Sequence, residues 1–407
     1  MPRYQYTAIA ADGRKVRGAL AAENSYAARK QLRIRSMHPM SVTEVPTAGR
    51  AKAAVLSVFG KSGKTQLIDF TKQMATLINS GIKLTEALSV LTLQTSDERL
   101  KNAICDIRDR VITGESFADS LRDYSDYFDV IYISMIRVGE VTGTLGKSFS
   151  TLANFLEKRQ RVESKVITAM IYPMVLILFC IAAVLFLTIK VIPTVAVQIE
   201  KNGQELPWIT RQLMNVSYTL TSWRALIVIA VIAVIVYSVK KFLRTPRGAY
   251  MRDKLLLSLP LLGPLIKQRV VARFASTLST LLGSGLPMAE SLRVVGEVTG
   301  NTLMKNAVAQ ARERILAGAD IATPLQDSGV IDPAIAHMVS VGEKSGELEA
   351  MLRNISENLE ASSDVVIERL SAAIEPLIII VMALIVGIIA YATILPILQL
   401  SASASGR

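Results

Sequence analysis

The stretch that decides the fold occurs twice in this chain. Residues 70–81 read FTKQMATLINSG, and residues 274–285, 204 positions later, read FASTLSTLLGSG. The alignment continues without a gap and gives 15 identities in 45 positions, against about 3 expected from ordinary residue usage. After one residue is lost from the second copy, the offset is 203, and Gly139-Glu140-x-x-Gly143 aligns with Gly342-Glu343-x-x-Gly346. A spacing kept over this distance indicates the duplication of a whole domain.

Each copy is followed by an apolar run of membrane length. Residues 166–189 contain no charged residue over 24 positions, and residues 376–400 contain none over 25, where about 20 suffice to span a bilayer. Residues 225–239 form a shorter uncharged run of 15. This run reaches membrane length if residues 219–223 join it and Arg224 extends to the interface. A buried amphipathic helix is the alternative, but the run has no polar face, which favours a third span.

The remaining segments have the spacing of soluble helices and strands. Apolar residues in each copy recur with helical periodicity, and about six helices joined by short loops predict a compact bundle. Within residues 1–45, polar and apolar residues alternate over 4–8 and 16–20, which predicts a β-hairpin turning at Asp12-Gly13. A helix over residues 22–36 and a further strand over 42–45 are predicted to follow. The predicted fold class is an all-α membrane protein with two homologous helical bundles, three transmembrane helices and a small α+β N-terminal domain.

The charge distribution predicts the orientation in the membrane. The net charge is +12, and residues 1–65 hold 12 basic against 3 acidic residues, while residues 240–273 hold 9 against 1. Basic segments beside membrane spans are typical of the cytoplasmic side, and a nucleic-acid binder would not concentrate its charge there. We therefore expect the N-terminus and both bundles to face the cytoplasm.

The predicted segments follow from these patterns. They are a small α+β domain (1–45), a basic linker (46–65), the first cytoplasmic helical domain (66–165), the first span (166–190), a periplasmic loop (191–218), the second span (219–239), a basic cytoplasmic segment (240–273), the second cytoplasmic helical domain (274–370), the third span (374–398) and a short periplasmic tail (399–407).

The composition argues against catalysis. Two cysteines and two histidines make a disulfide framework or a histidine-based metal site implausible. The string Gly60-Lys-Ser-Gly63-Lys64-Thr65 is like the end of a phosphate-binding loop, but Val58 stands where that loop requires glycine, and no parallel sheet follows. We predict that the chain is not an enzyme. A transporter is a remote alternative, because the long apolar runs lack the polar residues that a membrane pathway needs.

The repeated motifs supply the candidate site residues. Two glycines four apart cost roughly 1 kcal/mol each within a helix, so the Gly-Glu-x-x-Gly motif predicts a turn, with its glutamate near the positive end of the long helix that follows. A corner that binds a partner or a cation is the alternative. Pro173 and Pro376, at the start of their spans, are predicted to kink or end the helix and to give both spans equal angles.

Together the motifs resemble the GspF/PilC family, the inner-membrane platform proteins of type II secretion systems and type IV pili, over nearly the full length. The residues that carry the resemblance are Tyr6, Ala8, Gly13, Gly18, Ala28 and Leu32 near the N-terminus; Phe70, Gln73, Leu77, Ser80 and Gly81 at the first helix end; Gly139, Glu140, Thr142, Gly143 and Leu145 with Gly342, Glu343, Ser345, Gly346 and Leu348 at the corners; and Tyr172-Pro173 at the first span.

This resemblance implies a non-catalytic, multi-pass assembly factor of the bacterial inner membrane. Its implied partners are a cytoplasmic assembly ATPase, other inner-membrane components and pseudopilins or pilins; we further expect membrane lipids and other copies of the chain, and no nucleic acid. We predict type II secretion, with type IV pilus assembly as the alternative.

The resemblance also implies that no cofactor is required, with calcium as the one candidate. Calcium is associated with the first helical domain in some members, and the motifs place its candidate ligands at Glu86, Glu140 and Thr144. Residues with a structural or partner-facing role are predicted throughout the repeats, namely Gly81, Gly139, Glu140, Gly143, Gly285, Gly342, Glu343 and Gly346.

Overall fold

A computed structural model describes most of the chain. The described residues are 3–9, 15–21, 25–34, 37–44, 63–201, 208–260 and 263–405. They fall into two compact units that divide between residues 62 and 63.

The first unit is a three-stranded antiparallel sheet with one helix. Its elements are β1 (Arg3–Ile9), β2 (Lys15–Ala21), α1 (Ser25–Ile34) and β3 (His38–Glu44), in the strand order β2-β1-β3. The predicted hairpin is confirmed, since Tyr4 pairs with Leu20 and Tyr6 with Gly18. Its turn at Asp12-Gly13 and most of the basic linker lie outside the described residues. Strand β3 begins four residues before the predicted strand.

The first helical domain contains the six predicted helices. They are α2 (Gly63–Asn79), α3 (Leu84–Gln94), α4 (Glu98–Ile112), α5 (Phe117–Ser120), α6 (Val130–Val141) and α7 (Leu145–Phe186). Helix α2 begins three residues before the predicted domain. Aromatic rings fill the centre of the core, where Phe128 packs edge-on against Tyr132 with ring centroids 4.9 Å apart and Phe70 lies at 6.3 Å from Phe128.

The second helical domain repeats the same order. Between the two domains lie α8 (Ile192–Lys201), α9 (Trp208–Thr221), α10 (Arg224–Leu243) and α11 (Pro246–Ser258). The second bundle then comprises α12 (Gly263–Gly283), α13 (Met288–Val298), α14 (Thr302–Leu316), α15 (Ala322–Asp327), α16 (Pro333–Ser345) and α17 (Leu348–Ser405). The two bundles share one continuous core of buried apolar side chains, so they form a single unit.

Helix α11 packs against α12 and α14 of the second bundle. Its Asp253 is 4% exposed and accepts hydrogen bonds from the Thr302 backbone N–H (2.8 Å) and the Thr302 hydroxyl. Burial alone would raise the pKa of this carboxyl, but the bonds from Thr302 and the nearby Arg252 hold it below the ordinary value. Asp253 thereby fastens α11 to the first turn of α14.

Three helices of the described chain are long and apolar enough to cross a membrane. Helix α7 runs for 42 residues, about 63 Å, from the first bundle through the first apolar run, and α17 does the same over 58 residues from the second. Helix α10, at 20 residues or about 30 Å, is the short middle span. The chain is therefore a membrane protein with three candidate spans, as the sequence predicted.

The helix boundaries correct the prediction in three places. Residues 219–223 do not join the middle span, because α9 ends at Thr221; α10 gains its length beyond residue 239 instead, up to Leu243. The segment 191–218, predicted as a loop, is helical in most of its described part. Pro173 and Pro376 do not end their helices, which continue through both positions; a kink at either proline stays a prediction.

Candidate functional site

The two Gly-Glu-x-x-Gly corners share one geometry. In each, the second glycine ends a helix in the left-handed region, with φ +71° at Gly143 and +76° at Gly346. The first glycine lies against the next helix: a Cβ on Gly139 would lie 3.2 Å from the Leu145 Cα, and a Cβ on Gly342 3.2 Å from the Leu348 Cα. The predicted turn is thus confirmed, and its first glycine is required because two helices cross there at backbone distance.

The corner glutamates bind the start of the short helix that precedes them. Glu140 reaches back about 23 residues and accepts hydrogen bonds from the backbone N–H groups of Phe117 (2.7 Å) and Ala118 (3.0 Å) and from the Ser116 hydroxyl (2.8 Å). Glu343 accepts from the N–H of Ile321 (3.1 Å), which is the repeat equivalent of Phe117. Each corner glutamate thus accepts from N–H groups that the start of a helix leaves free, and its predicted nearness to the following long helix stays a prediction.

The Glu343 site lacks two of the donors that Glu140 has, the serine hydroxyl and the second backbone N–H. Ser116, which donates to Glu140, is replaced in the second copy by Asp320, which has no proton to donate and caps Thr323 instead (2.8 Å). Burial raises the pKa of the Glu343 carboxyl, the Ile321 N–H opposes that rise, and the Asp320 charge adds to it. The second site is therefore the less favourable one for a charged carboxylate.

Gly81 and Gly285 lie in equivalent turns. Both have positive φ, +83° and +89°. The next residue in each copy donates its N–H back across the turn, from Ile82 to the Leu77 carbonyl and from Leu286 to the Leu281 carbonyl, both at 3.1 Å. This is the bonding pattern by which a glycine closes a helix.

The predicted calcium ligands do not fit a calcium site well. Both carboxylate oxygens of Glu140 are used by hydrogen-bond donors, and the Thr144 hydroxyl lies 2.7 Å from the Thr142 hydroxyl. Calcium needs six to eight oxygen ligands. Within the described ranges, no three His, Cys, Asp or Glu side chains cluster as a metal site requires. Glu86 is exposed on α3, and its equivalent Glu290 forms a salt bridge with Arg293.

The long helices α7 and α17 contact each other through a row of polar side chains that the sequence analysis did not predict. Lys158 forms a salt bridge with Glu360 (3.1 Å), Lys165 with Asp364 (2.5 Å), and the Tyr172 hydroxyl donates to Glu375 (2.9 Å). The partners advance together along α7 and α17, so the helices run side by side in the same direction. Tyr172 and Glu375 are repeat equivalents, and such self-equivalent contacts arise near a two-fold axis. The matched charges were the signal that could have predicted this pairing.

The parallel pairing constrains how the apolar runs of α7 and α17 can lie: they run side by side in the same direction. Because α7 and α17 enter their apolar runs in the same direction, an odd number of spans between them is needed if both cross the membrane, and α10 is the candidate span. Fold and site together define a duplicated helical-bundle membrane protein whose two halves share a core and a pair of parallel anchors.

Comparison with known proteins identifies the family. The family described as "Type II secretion system (T2SS), protein F" matches residues 70–193 and again residues 274–396, and its N-terminal domain matches residues 1–43. The chain belongs to this family. Each of the two matched segments covers most of one bundle together with its long helix.

Relatives from two kinds of machinery are similar to the whole chain. Type II secretion system protein F of Vibrio cholerae is 32% identical over 402 residues, covering 98% of this chain and 99% of the relative. Type IV pilus assembly protein PilC of Thermus thermophilus is 31% identical over 401 residues, covering 98% of each. PilC of Myxococcus xanthus is 30% identical over 399 residues, covering 98% of this chain and 95% of the relative. A role in secretion or pilus assembly is thereby supported, and identity alone separates neither from the other.

Proposed function

We propose that this protein is the non-catalytic platform of a type II secretion system in the bacterial inner membrane, coupling a cytoplasmic assembly ATPase to the growth of a pseudopilin fibre. The proposal rests on the observation that a single continuous helix joins each bundle to its span. Helix α7 contributes Phe149 and Leu152 to the buried core and continues without interruption to Phe186. A helix this long transmits a tilt from one end to the other, so a force on the bundles moves both anchors.

The orientation of the platform is inferred from charge. The basic segments 1–65 and 240–273 favour the cytoplasm, and the parallel anchors require that both bundles share one side. A single cytoplasmic ATPase could then contact both bundles at once.

Exposed apolar residues on the bundles are the natural positions for a contact test. Ile112 and Leu316 are repeat equivalents that are 62% and 64% exposed. We would place a photo-crosslinking amino acid at each of them in the full-length protein, in native membranes. Trp208, 73% exposed on the opposite side of the spans in this proposal, is the matched control. We expect the ATPase to be captured from Ile112 or Leu316 and not from Trp208. Capture of neither an ATPase nor a pilin-like subunit from any bundle position would contradict the platform.

Type IV pilus assembly is the second candidate, because relatives named PilC match over the same length at nearly the same identity. Complementation distinguishes the two. The gene should restore protein export to a secretion strain that lacks its own protein F, and it should not restore pili to a strain that lacks PilC. The reverse result would assign the chain to a pilus. ATP binding by the purified chain would contradict the non-catalytic assignment.

A further inference from the structure

A cavity of about 340 Å³ lies between the two repeats, where α7, α12 and α17 approach each other. Its lining includes Val166 and Ile167, the first residues of the uncharged run that enters the membrane. The cavity therefore opens at the level where the bundle ends and the span begins. An amphiphilic ligand at this level would have its polar end beside the bundle and its apolar end beside the span.

The acidic side chains of the cavity are already neutralised. Glu360 pairs with Lys158 at 3.1 Å, Asp364 pairs with Lys165 at 2.5 Å, and Glu163 pairs with Lys64 at 2.9 Å. These carboxylates therefore contribute little free negative charge to a ligand.

Two arginines of the lining remain without such partners. Arg269 and Arg273 lie one helical turn apart on α12, and neither forms a side-chain hydrogen bond or ion pair with any residue in the described part of the chain. Burial lowers the pKa of Arg273, and the nearby guanidinium groups of Arg159 and Arg269 lower it further, while the Glu163 carboxylate opposes part of this shift. Neighbouring guanidinium groups that lack a hydrogen-bonded or ion-paired carboxylate form a site that an anion would stabilise, and arginine binds phosphate with two parallel hydrogen bonds.

The rest of the lining fits the apolar part of a lipid. Phe155 and Val162 of α7 continue the apolar wall from the arginines towards Ile167. Ser276, one turn beyond Arg273 on α12, adds a hydroxyl at the polar end. Basic pockets between membrane helices on the cytoplasmic side are the places where anionic lipid head groups bind.

We propose that this cavity binds the phosphate head group of an anionic phospholipid through Arg269 and Arg273, with the acyl chains lying along α7 at Val162 and Ile167. The lipid would join the two repeats at the level of the membrane surface. This inference rests on the span boundary and on the cavity; it does not depend on a secretion or pilus role.

The test measures lipid binding by native mass spectrometry of the full-length protein in detergent, with phosphatidylglycerol or phosphatidylcholine added. We expect phosphatidylglycerol to bind more tightly than phosphatidylcholine, and Arg269→Gln/Arg273→Gln to weaken its binding about tenfold. The control is Arg244→Gln/Arg247→Gln, which removes the same charge from exposed positions outside the cavity. It should change the affinity less than about twofold, as expected of a screened surface charge.

Three results would overturn the proposal. One is unchanged binding in the cavity variant, and another is equal weakening in both variants, which would indicate a general surface attraction. The third is displacement of phosphatidylglycerol by an equal concentration of inorganic phosphate, which would assign the site to a free anion. If the double variant does not fold, Arg269→Lys/Arg273→Lys keeps the charge but loses the paired hydrogen bonds, and a partial loss of affinity is then expected.

Discussion

The equivalent glutamates Glu140 and Glu343 should differ sharply in their structural importance. Glu140 accepts three hydrogen bonds, two of them from backbone N–H groups, whereas Glu343 accepts from one backbone N–H group. A hydrogen bond to a charged group contributes about 1.5–3 kcal/mol, and bonds to one carboxylate are less than additive. We therefore expect Glu140→Ala to cost about 4 kcal/mol and Glu343→Ala about 1–2 kcal/mol.

Hydrogen exchange of the full-length protein in detergent measures these costs locally. Peptides that cover the start of α5 report on Glu140, and peptides that cover the start of α15 report on Glu343. A loss of 4 kcal/mol corresponds to roughly a thousandfold faster exchange where local opening controls it, and 1.4 kcal/mol to tenfold. Equal acceleration at both helices would contradict the expected difference between Glu140 and Glu343.

A single residue should account for part of the difference between the copies. Asp320 stands where the first copy has Ser116, the hydroxyl donor to Glu140. Asp320→Ser should supply that donor to Glu343 and remove a neighbouring negative charge. In a double-mutant cycle, Glu343→Ala should then cost more in the Asp320→Ser background than in the wild type. An unchanged cost would show that Asp320 is not the cause.

The same assay tests calcium. Since both oxygens of Glu140 are occupied by donors, we expect the exchange at α5 to be the same with calcium or with a chelator. Protection that rises with calcium and disappears in Glu140→Ala would instead assign the metal to this corner.

Three further predictions concern packing and pH. Gly139→Val should destabilise the first bundle by about 1–3 kcal/mol in thermal unfolding, because its Cβ would lie 2.8 Å from the Ser148 Cβ; stability equal to the wild type would contradict the close helix contact. Asp253→Ala should cost about 2–3 kcal/mol at neutral pH, because it leaves the Thr302 N–H without its acceptor. The folded-state pKa of Asp253 is lowered, so the stability that Asp253 contributes should be lost as pH falls through that pKa. The folded-state pKa of Glu343 is raised, so the ionisation of this carboxyl disfavours folding as pH rises. Glu343→Gln should therefore be more stable than the wild type at pH 7, and this gain in stability should shrink at acidic pH. A gain that grows on acidification would contradict the raised pKa.

The prediction of the fold from sequence succeeded where each decision was local. The 204-residue repeat, the helical periodicity and the uncharged runs predicted two six-helix bundles and three spans, and the alternation of residues 4–8 predicted the N-terminal hairpin. Helix boundaries were less accurate. The local pattern did not indicate that α10 extends forward to Leu243 and not back to residue 219, because polar residues and lysines are both acceptable at the end of a span.

The sequence by itself determined which residues are matched between the two copies, since identity at a fixed offset needs no coordinates. Only the tertiary structure decided what the matched residues do. Glu140 could not be assigned to Ser116 and Phe117 from spacing, because the contact depends on how α6 folds back across α5. The same holds for Tyr172 and Glu375: each lies on its own helix, and their contact exists because two parallel helices pack at equivalent positions.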